Sequence, residues 1–267
     1  MIRDITIGQY YKADSVIHRL DPRVKLMGTL IFIISLFMGM NIWIYAVVTV
    51  ALAVVIKMSR IPLKFMVRGL KSIVILIIIS AVFNLFLTPG DVLIQIWKLT
   101  ITYQGLKMAI FMVVRLIYLI VGTSFMTLTT TPNNLTDGLE KGLGFLKVIK
   151  VPVHEIAMMM SIALRFIPIL IEETDKIMKA QMARGADFEN GSIIRRAKAM
   201  VPILVPLFVS AFRRANELAM AMEARCYHGS EGRTKMKPLK YEKRDRIAYI
   251  SMVLYLGVII IVKIIAA

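Results

Sequence analysis

The hydrophobic positions fall into long uncharged runs separated by short, strongly basic stretches. Between Lys25 and Lys57 lie 31 residues without a charge, too many for one membrane crossing of about 20 residues and few for two. Both ends are basic, and Gly39-Met40-Asn41 sits near the middle, with Asn41 available as an N-cap. The run therefore reads as two short helices joined by a tight turn. Asp21-Pro22 marks the first start, because Asp suits the N-cap and Pro the first helical position. Lys25 and Lys57 are then expected to snorkel toward water. A third apolar run covers Ser72 to Leu87 and stops at Thr88-Pro89-Gly90, with Asn84 as its one strongly polar member. A fourth extends from Leu106 to about Leu128 and contains Arg115, and a fifth runs from Ile247 to Ile265 with Lys263 near its end. The pattern predicts an all-α polytopic membrane protein with about five transmembrane helices.

Composition sharpens this picture. Hydrophobic residues make up 58% of the 267, which excludes an ordinary water-soluble enzyme, yet 34 Lys+Arg against 17 Asp+Glu exclude a chain buried in lipid throughout. The charges are segregated. Arg3, Lys12, Arg19, Arg23 and Lys25 precede the first span, and Lys57, Arg60, Lys64, Arg68 and Lys71 lie between the second and third with no acid. The turn between the first two spans has no Lys or Arg. The 89–105 connection has only Lys98 against Asp91, and its Trp97 and Tyr103 suit a membrane interface. Excess positive charge marks the cytoplasmic side, so the N-terminus is expected inside and the C-terminus outside the cell membrane. Three regions follow: residues 1–131 with four transmembrane helices, a cytoplasmic domain over 132–246 with 20 Lys+Arg and 13 Asp+Glu, and a C-terminal transmembrane helix over 247–267. Met1 to Lys25 offers no apolar core segment, so no cleavable signal peptide is expected. One cysteine, Cys226, excludes a disulfide framework and any multi-cysteine cluster.

The 132–246 insert carries two long amphipathic patterns. The first, about Val153 to Arg184, repeats apolar positions at helical spacing from Ile156 through Ile177, with Pro168 expected to kink it. The second, about Ser192 to Arg225, does the same from Ile194 through Met222, with Pro202 and Pro206 interrupting. Both are more apolar than one buried stripe requires. Helices lying on or partly in the membrane would account for that. So would a partner-binding surface, since Met158, Met159, Met160, Met178, Met182, Met220 and Met222 give a face able to repack. Each long helix also ends alike, in Ala183-Arg184-Gly185 and Ala224-Arg225-Cys226. One such end is ordinary, because a terminal Arg suits the helix dipole and a following Gly caps it. The repeated pair reads as two prongs, each presenting a planar donor fork to carboxylates or carbonyls of a second protein.

These residues resemble the transmembrane T component of energy-coupling factor transporters, importers of the ATP-binding cassette class. The resemblance spans nearly the whole chain. It is carried by Leu20-Asp21-Pro22-Arg23-Val24-Lys25-Leu26, by Thr130-Thr131-Pro132, by Leu164-Arg165-Phe166-Ile167-Pro168, and above all by the two arginine tripeptides. It implies a non-catalytic coupling subunit in a prokaryotic cell membrane. Arg184 and Arg225 would each enter a groove on one of two ATPase subunits, flanked by Ala183, Gly185, Ala224 and Cys226. Cys226 departs from the usual glycine, which bears on the cap more than on the charge, with Gly229 available to supply the turn. Met158, Met159, Met160, Ile167, Phe208 and Phe212 would face one or more small membrane-embedded substrate-binding S components, which take up a vitamin or a metal ion. Domain 132–246 would then be the coupling domain. No segment reads as a P-loop, Gly138 to Gly144 being the nearest, so ATP hydrolysis is expected in the partners.

The remaining candidates carry less. His18, His154 and His228 are far apart without metal-ligand spacing, and Cys226 has no catalytic neighbours oriented by its place at a helix end, so no metal or cofactor is expected. Arg115 is read as structural, and Arg165 with Glu172 and Glu173 as a solvated face. The basic tract from Arg233 to Arg246 lacks interleaved aromatics and points to anionic lipid, not nucleic acid. A membrane enzyme acting on a lipid-linked substrate is a poor alternative, because the spans hold no acid or histidine. A membrane scaffold for cytoplasmic partners remains open.

Overall fold

The computed structural model describes residues 10–71, 73–96, 99–186, 188, 193–229, 236 and 238–265. Arg3, Ser72, Trp97, Lys98, Ser192, Arg233, Lys235 and Lys237, named above, lie outside them. The chain divides into two compact units. Among the described residues, one comprises 10–142 with 239–265, and the other lies within 143–238.

The first unit is a helical bundle built on its longest helix. Helices α1 (Pro22–Phe37) and α2 (Ile42–Ser59) form the expected hairpin, and both caps read from sequence are made. Asp21 accepts from the Arg23 backbone N–H at 2.9 Å, and Asn41 accepts from the Trp43 N–H at 3.2 Å. Helices α3 (Leu63–Lys71) and α4 (Val74–Leu87) follow, and then α5 (Tyr103–Thr129), against which α1, α2, α3 and α4 all pack. Gly105 is required where α4 meets α5, because a Cβ there would lie 2.9 Å from the Leu85 carbonyl oxygen. Helix α6 (Pro132–Gly142) packs on α1 and so belongs to this unit, and α9 (Lys243–Ile265) packs on α1 and α2. Leu36, Ile44, Tyr45, Val48 and Ile259 form one buried cluster among α1, α2 and α9. Met66, Ile61, Val121 and Leu128 form a second beside α5.

Among the described residues, α2, α5, α7 and α9 are long and apolar enough to cross a membrane, while α4 is apolar but shorter. The protein is an all-α polytopic membrane protein, with one exception in the 89–105 connection. There β1 (Val92–Ile96) and β2 (Leu99–Thr102) pair antiparallel, with Val92 opposite Thr102 and an irregularity before Ile94. Gln104 closes the hairpin's base, accepting from the Asp91 N–H at 2.8 Å and donating to its carboxylate at 2.7 Å.

Lys25 corrects an expectation. It does not snorkel: only 9% of it is exposed, and its Nζ donates to the carbonyls of His18 (3.1 Å) and Thr129 (2.8 Å). It sits in a polar knot that ties the start of α1 to the end of α5 and the start of α9. Asp245 is 1% exposed, accepts from the Asp21 N–H at 2.9 Å and, in a capping-box arrangement, from the Glu242 N–H at 2.8 Å. Arg23 holds the Asp21 carboxylate at 2.8 Å and stacks 3.8 Å from the Tyr241 ring centroid. Burial pushes the Asp21 carboxyl up, but the hydrogen bonds from the Arg23 side chain and backbone outweigh it and leave it below the ordinary range.

The second unit consists of a 3-10 turn (Gly144–Ile149) and two long helices, α7 (Val153–Ala183) and α8 (Ile193–Glu223). Both lie within two residues of the expected bounds. Pro168 does not break α7, nor do Pro202 and Pro206 break α8, each helix being continuous through them.

Candidate functional site

Helices α7 and α8 pack antiparallel. Gln181 reaches the Pro202 carbonyl at 3.5 Å, Glu173 meets Ser210 and Arg214, and the Tyr227 hydroxyl donates to the Met158 sulfur at 3.2 Å. Each step back along α7 is thus a step forward along α8. The central contact is a clasp: Arg214 Nη2 lies 2.9 Å from Glu173 Oε2, with both side chains half-buried, and the Ser210 hydroxyl donates to the other carboxylate oxygen. Glu173 stands eleven positions before Arg184, and Arg214 eleven before Arg225. An apolar groove of ≈ 240 Å³ runs beside the clasp, lined by Ile162, Phe166, Leu170, Ala211 and Leu218 among others.

The two arginines end their helices in the same way. Gly185 (φ 89°) adopts the left-handed conformation; its N–H donates to Met182 O at 2.9 Å, and the Ala186 N–H donates to Gln181 O at 3.0 Å. At the other end Cys226 (φ 54°) takes the same conformation; its N–H donates to Glu223 O at 2.8 Å, and the Tyr227 N–H donates to Met222 O at 3.0 Å. Both are Schellman caps with arginine at the last helical junction. The turn after Arg225 is therefore made by Cys226 itself. Gly229, expected to stand in for it, has its own positive φ of 100° three residues on.

Arg184 and Arg225 are exposed, and neither makes a side-chain hydrogen bond or ion pair with a described residue. They are not brought together. Tyr227 meets Met158, so Arg225 stands beside the start of α7, while Arg184 lies at its far end, about 35 to 40 Å away at 1.5 Å per residue. Ala183, Gly185, Ala224 and Cys226 are likewise exposed around the two tips.

The comparisons with known proteins agree with one another. The family model described as "Cobalt transport protein" matches residues 13–236. A Clostridium kluyveri protein named energy-coupling factor transporter transmembrane protein EcfT is 56% identical over 250 residues, 93% of each chain. The protein of that name in Bacillus subtilis is 47% identical over 254 residues, 95% of this chain and 96% of its own. The chain belongs to the family of energy-coupling factor transporter transmembrane components.

Against that family identity, the remaining site residues fall into two groups. On α8, Phe208 (64% exposed) and Phe212 (62%) stack 5.6 Å apart on an outward stripe continued by Val201, Leu204 and Val205. On α7, Met159, Met160 and Ile167 are exposed, whereas Met158 is half-buried and engaged by Tyr227. Arg165 and Glu172 are exposed, as expected of a solvated face, but Glu173 is drawn into the clasp with Arg214. The sequence reading missed that clasp. The signal available for it was the equal spacing of Glu173 and Arg214 from the two arginine ends.

His18 is half-buried. Its Nε2–H donates to Tyr11 O at 3.1 Å and its Nδ1 accepts from the Ser15 hydroxyl at 2.7 Å. Burial lowers its tendency to take up a proton.

Proposed function

We propose that this chain transmits ATP-driven closure of two ATPase subunits to a membrane-embedded substrate-binding S component, for uptake of a vitamin or a metal ion. One observation carries the reading: two exposed arginines, set on equivalent caps, stand at opposite ends of an antiparallel helix pair. A pair of equivalent grooves on two ATPase subunits needs two equivalent prongs held well apart, and about 35 to 40 Å is on the scale of a small domain. Closure of the ATPase pair moves the two tips in opposite senses across the helix pair and swings α7 and α8. Their exposed apolar residues, Met159, Met160, Ile167, Phe208 and Phe212, then carry the motion to the S component. Hydrolysis belongs to the partners, and substrate choice to the S component.

The same reading puts the N-terminus and the α7–α8 domain in the cytoplasm and the C-terminus outside, in keeping with the basic stretches at 3–25 and 57–71. The chain supplies its own reporter, since Cys226 is its one cysteine and is exposed. A membrane-impermeant maleimide is expected to label Cys226 in broken cells and not in intact ones. Labelling in intact cells would reverse the topology.

The decisive experiment is affinity purification of the tagged full-length chain and of R184E/R225E from native membranes. The unaltered chain is expected to bring two P-loop ATPases and one or more small hydrophobic proteins, and the double variant to insert normally but lose the ATPases. ATPases retained by the double variant would refute the two-prong role. ATP turnover by the purified chain alone would refute the non-catalytic reading.

A further inference from the structure

Among the described residues, Arg115 is a buried cation without an anion. It is 9% exposed, and the described residues offer it only neutral company. Its Nε–H donates to the Tyr45 hydroxyl at 3.0 Å, one Nη lies 3.9 Å from the Met112 sulfur, and the guanidinium stands 5.1 Å from the Phe37 ring centroid. A thioether is a weak acceptor, so of five N–H donors one is well satisfied. A guanidinium left in that condition inside a membrane protein is costly, and such groups pair with a counter-charge or reach the interface.

Its depth in the bundle says which. Counted along α5, Arg115 lies twelve residues from the nearer end, which would place it deep in the bilayer. Its contacts place it elsewhere. Phe37 is the last residue of α1, and Tyr45 is in the first turn of α2. The α1–α2 turn at 38–41 exposes backbone groups that hydrocarbon cannot satisfy, so the turn must lie where water or headgroups begin. Trp43 beside it is 67% exposed, an interfacial aromatic at the same level. Arg115 is therefore within about one helical turn, roughly 5 Å, of the headgroup layer.

We infer that Arg115, oriented by Tyr45, binds the phosphate of a phospholipid in the leaflet at the α1–α2 turn. The phosphodiester supplies the oxyanion that the guanidinium lacks, and exposed Phe37, Ile42 and Trp43 give its acyl chains an apolar bed. The site thereby fixes the turn, and with it the α1–α2 hairpin, at one depth in the bilayer.

The test uses the full-length chain, stripped of lipid in dodecyl maltoside, with thermal unfolding as the readout. Dioleoylphosphatidylglycerol at saturation is expected to raise the midpoint by about 5 °C. Dioleoylglycerol, which has the same chains and no phosphate, and inorganic phosphate, which has no chains, are expected to leave it within about 1 °C. R115Q is expected to abolish the lipid shift. Should R115Q fail to accumulate, Y45F keeps the charge, loses its orienting hydrogen bond and is expected to halve the shift. A full shift in R115Q or Y45F would overturn the proposal, as would an equal shift from dioleoylglycerol. Inorganic phosphate acting as well as the lipid would assign a free oxyanion and overturn the lipid source. Protection by a co-expressed membrane partner that persists without phospholipid would assign Arg115 to that partner's carboxylate, again overturning it.

Discussion

The knot at the start of α1 and the tips of α7 and α8 use the same side chains to opposite ends. In the knot, Asp21, Lys25 and Asp245 are buried, Arg23 is half-buried, and their hydrogen bonds are made within the chain. At the tips, Arg184 and Arg225 are exposed and make none with a described side chain. Charge in the knot holds several segments in one arrangement, and removing a member leaves buried donors or acceptors orphaned. Charge at the tips has no partner among the described side chains, so beyond a few tenths of a kcal/mol from the helix dipole its removal is expected to be felt where another molecule supplies the acceptor.

The contrast is sharpest with Asp245→Ala, which strips the acceptor from the buried Asp21 N–H and from the part-buried Glu242 N–H. A loss of about 3 kcal/mol in unfolding free energy is expected, measured by chemical denaturation in detergent, with ATPase binding by the surviving folded protein unchanged. Next comes Arg184→Ala, expected to weaken ATPase binding by about 30-fold, equivalent to about 2 kcal/mol, with unfolding altered by no more than about 0.5 kcal/mol. A tip variant that unfolded the protein, or a knot variant that spared it, would erase the distinction. Within the tips themselves the two caps differ by one residue, and left-handed backbone costs a non-glycine about 1 kcal/mol. Cys226→Gly should thus gain about 1 kcal/mol and Gly185→Ala lose a similar amount, read from the same denaturation curves. The smallest effect is that of pH. His18 binds a proton less readily folded than unfolded, so its contribution is complete above its ordinary value near 6.5 and is lost as the pH falls through the lower folded value. Asp21, held below 3.8, contributes above that value and is lost only in stronger acid. Stability measured from pH 7.5 to 5.5 should decline slightly, and His18→Gln should flatten that decline.

What the sequence made legible was local. Asp21-Pro22 and Asn41 start helices because an N-cap needs only its own next two residues, and α7 and α8 end within two residues of expectation for the same reason. What it hid was long-range. Lys25 appeared free to snorkel because its acceptors are carbonyls at His18 and at Thr129, the latter 104 residues away. The 89–105 hairpin went unread because Thr88-Pro89-Gly90 signalled only a stop. The separation of the two prongs went unread as well, although the short connection between α7 and α8 makes antiparallel neighbours the expected arrangement. Arg115 read only as structural, because the neighbours that set its depth, Phe37 and Tyr45, stand at the ends of α1 and α2, 70 or more positions away.

The Glu173–Arg214 clasp has a mechanical meaning. Eleven residues on each side give two arms of about 16 Å, so under the proposed coupling role the pair would act as a balanced lever with its fulcrum at a polar contact. Equal and opposite forces acting across the helices at the two tips would form a couple, which turns the lever about the clasp without pushing it sideways. A force at one tip alone both turns and drags it. Equal arms would therefore convert symmetric closure of two motors into pure rotation, and a single working motor into rotation contaminated by drift.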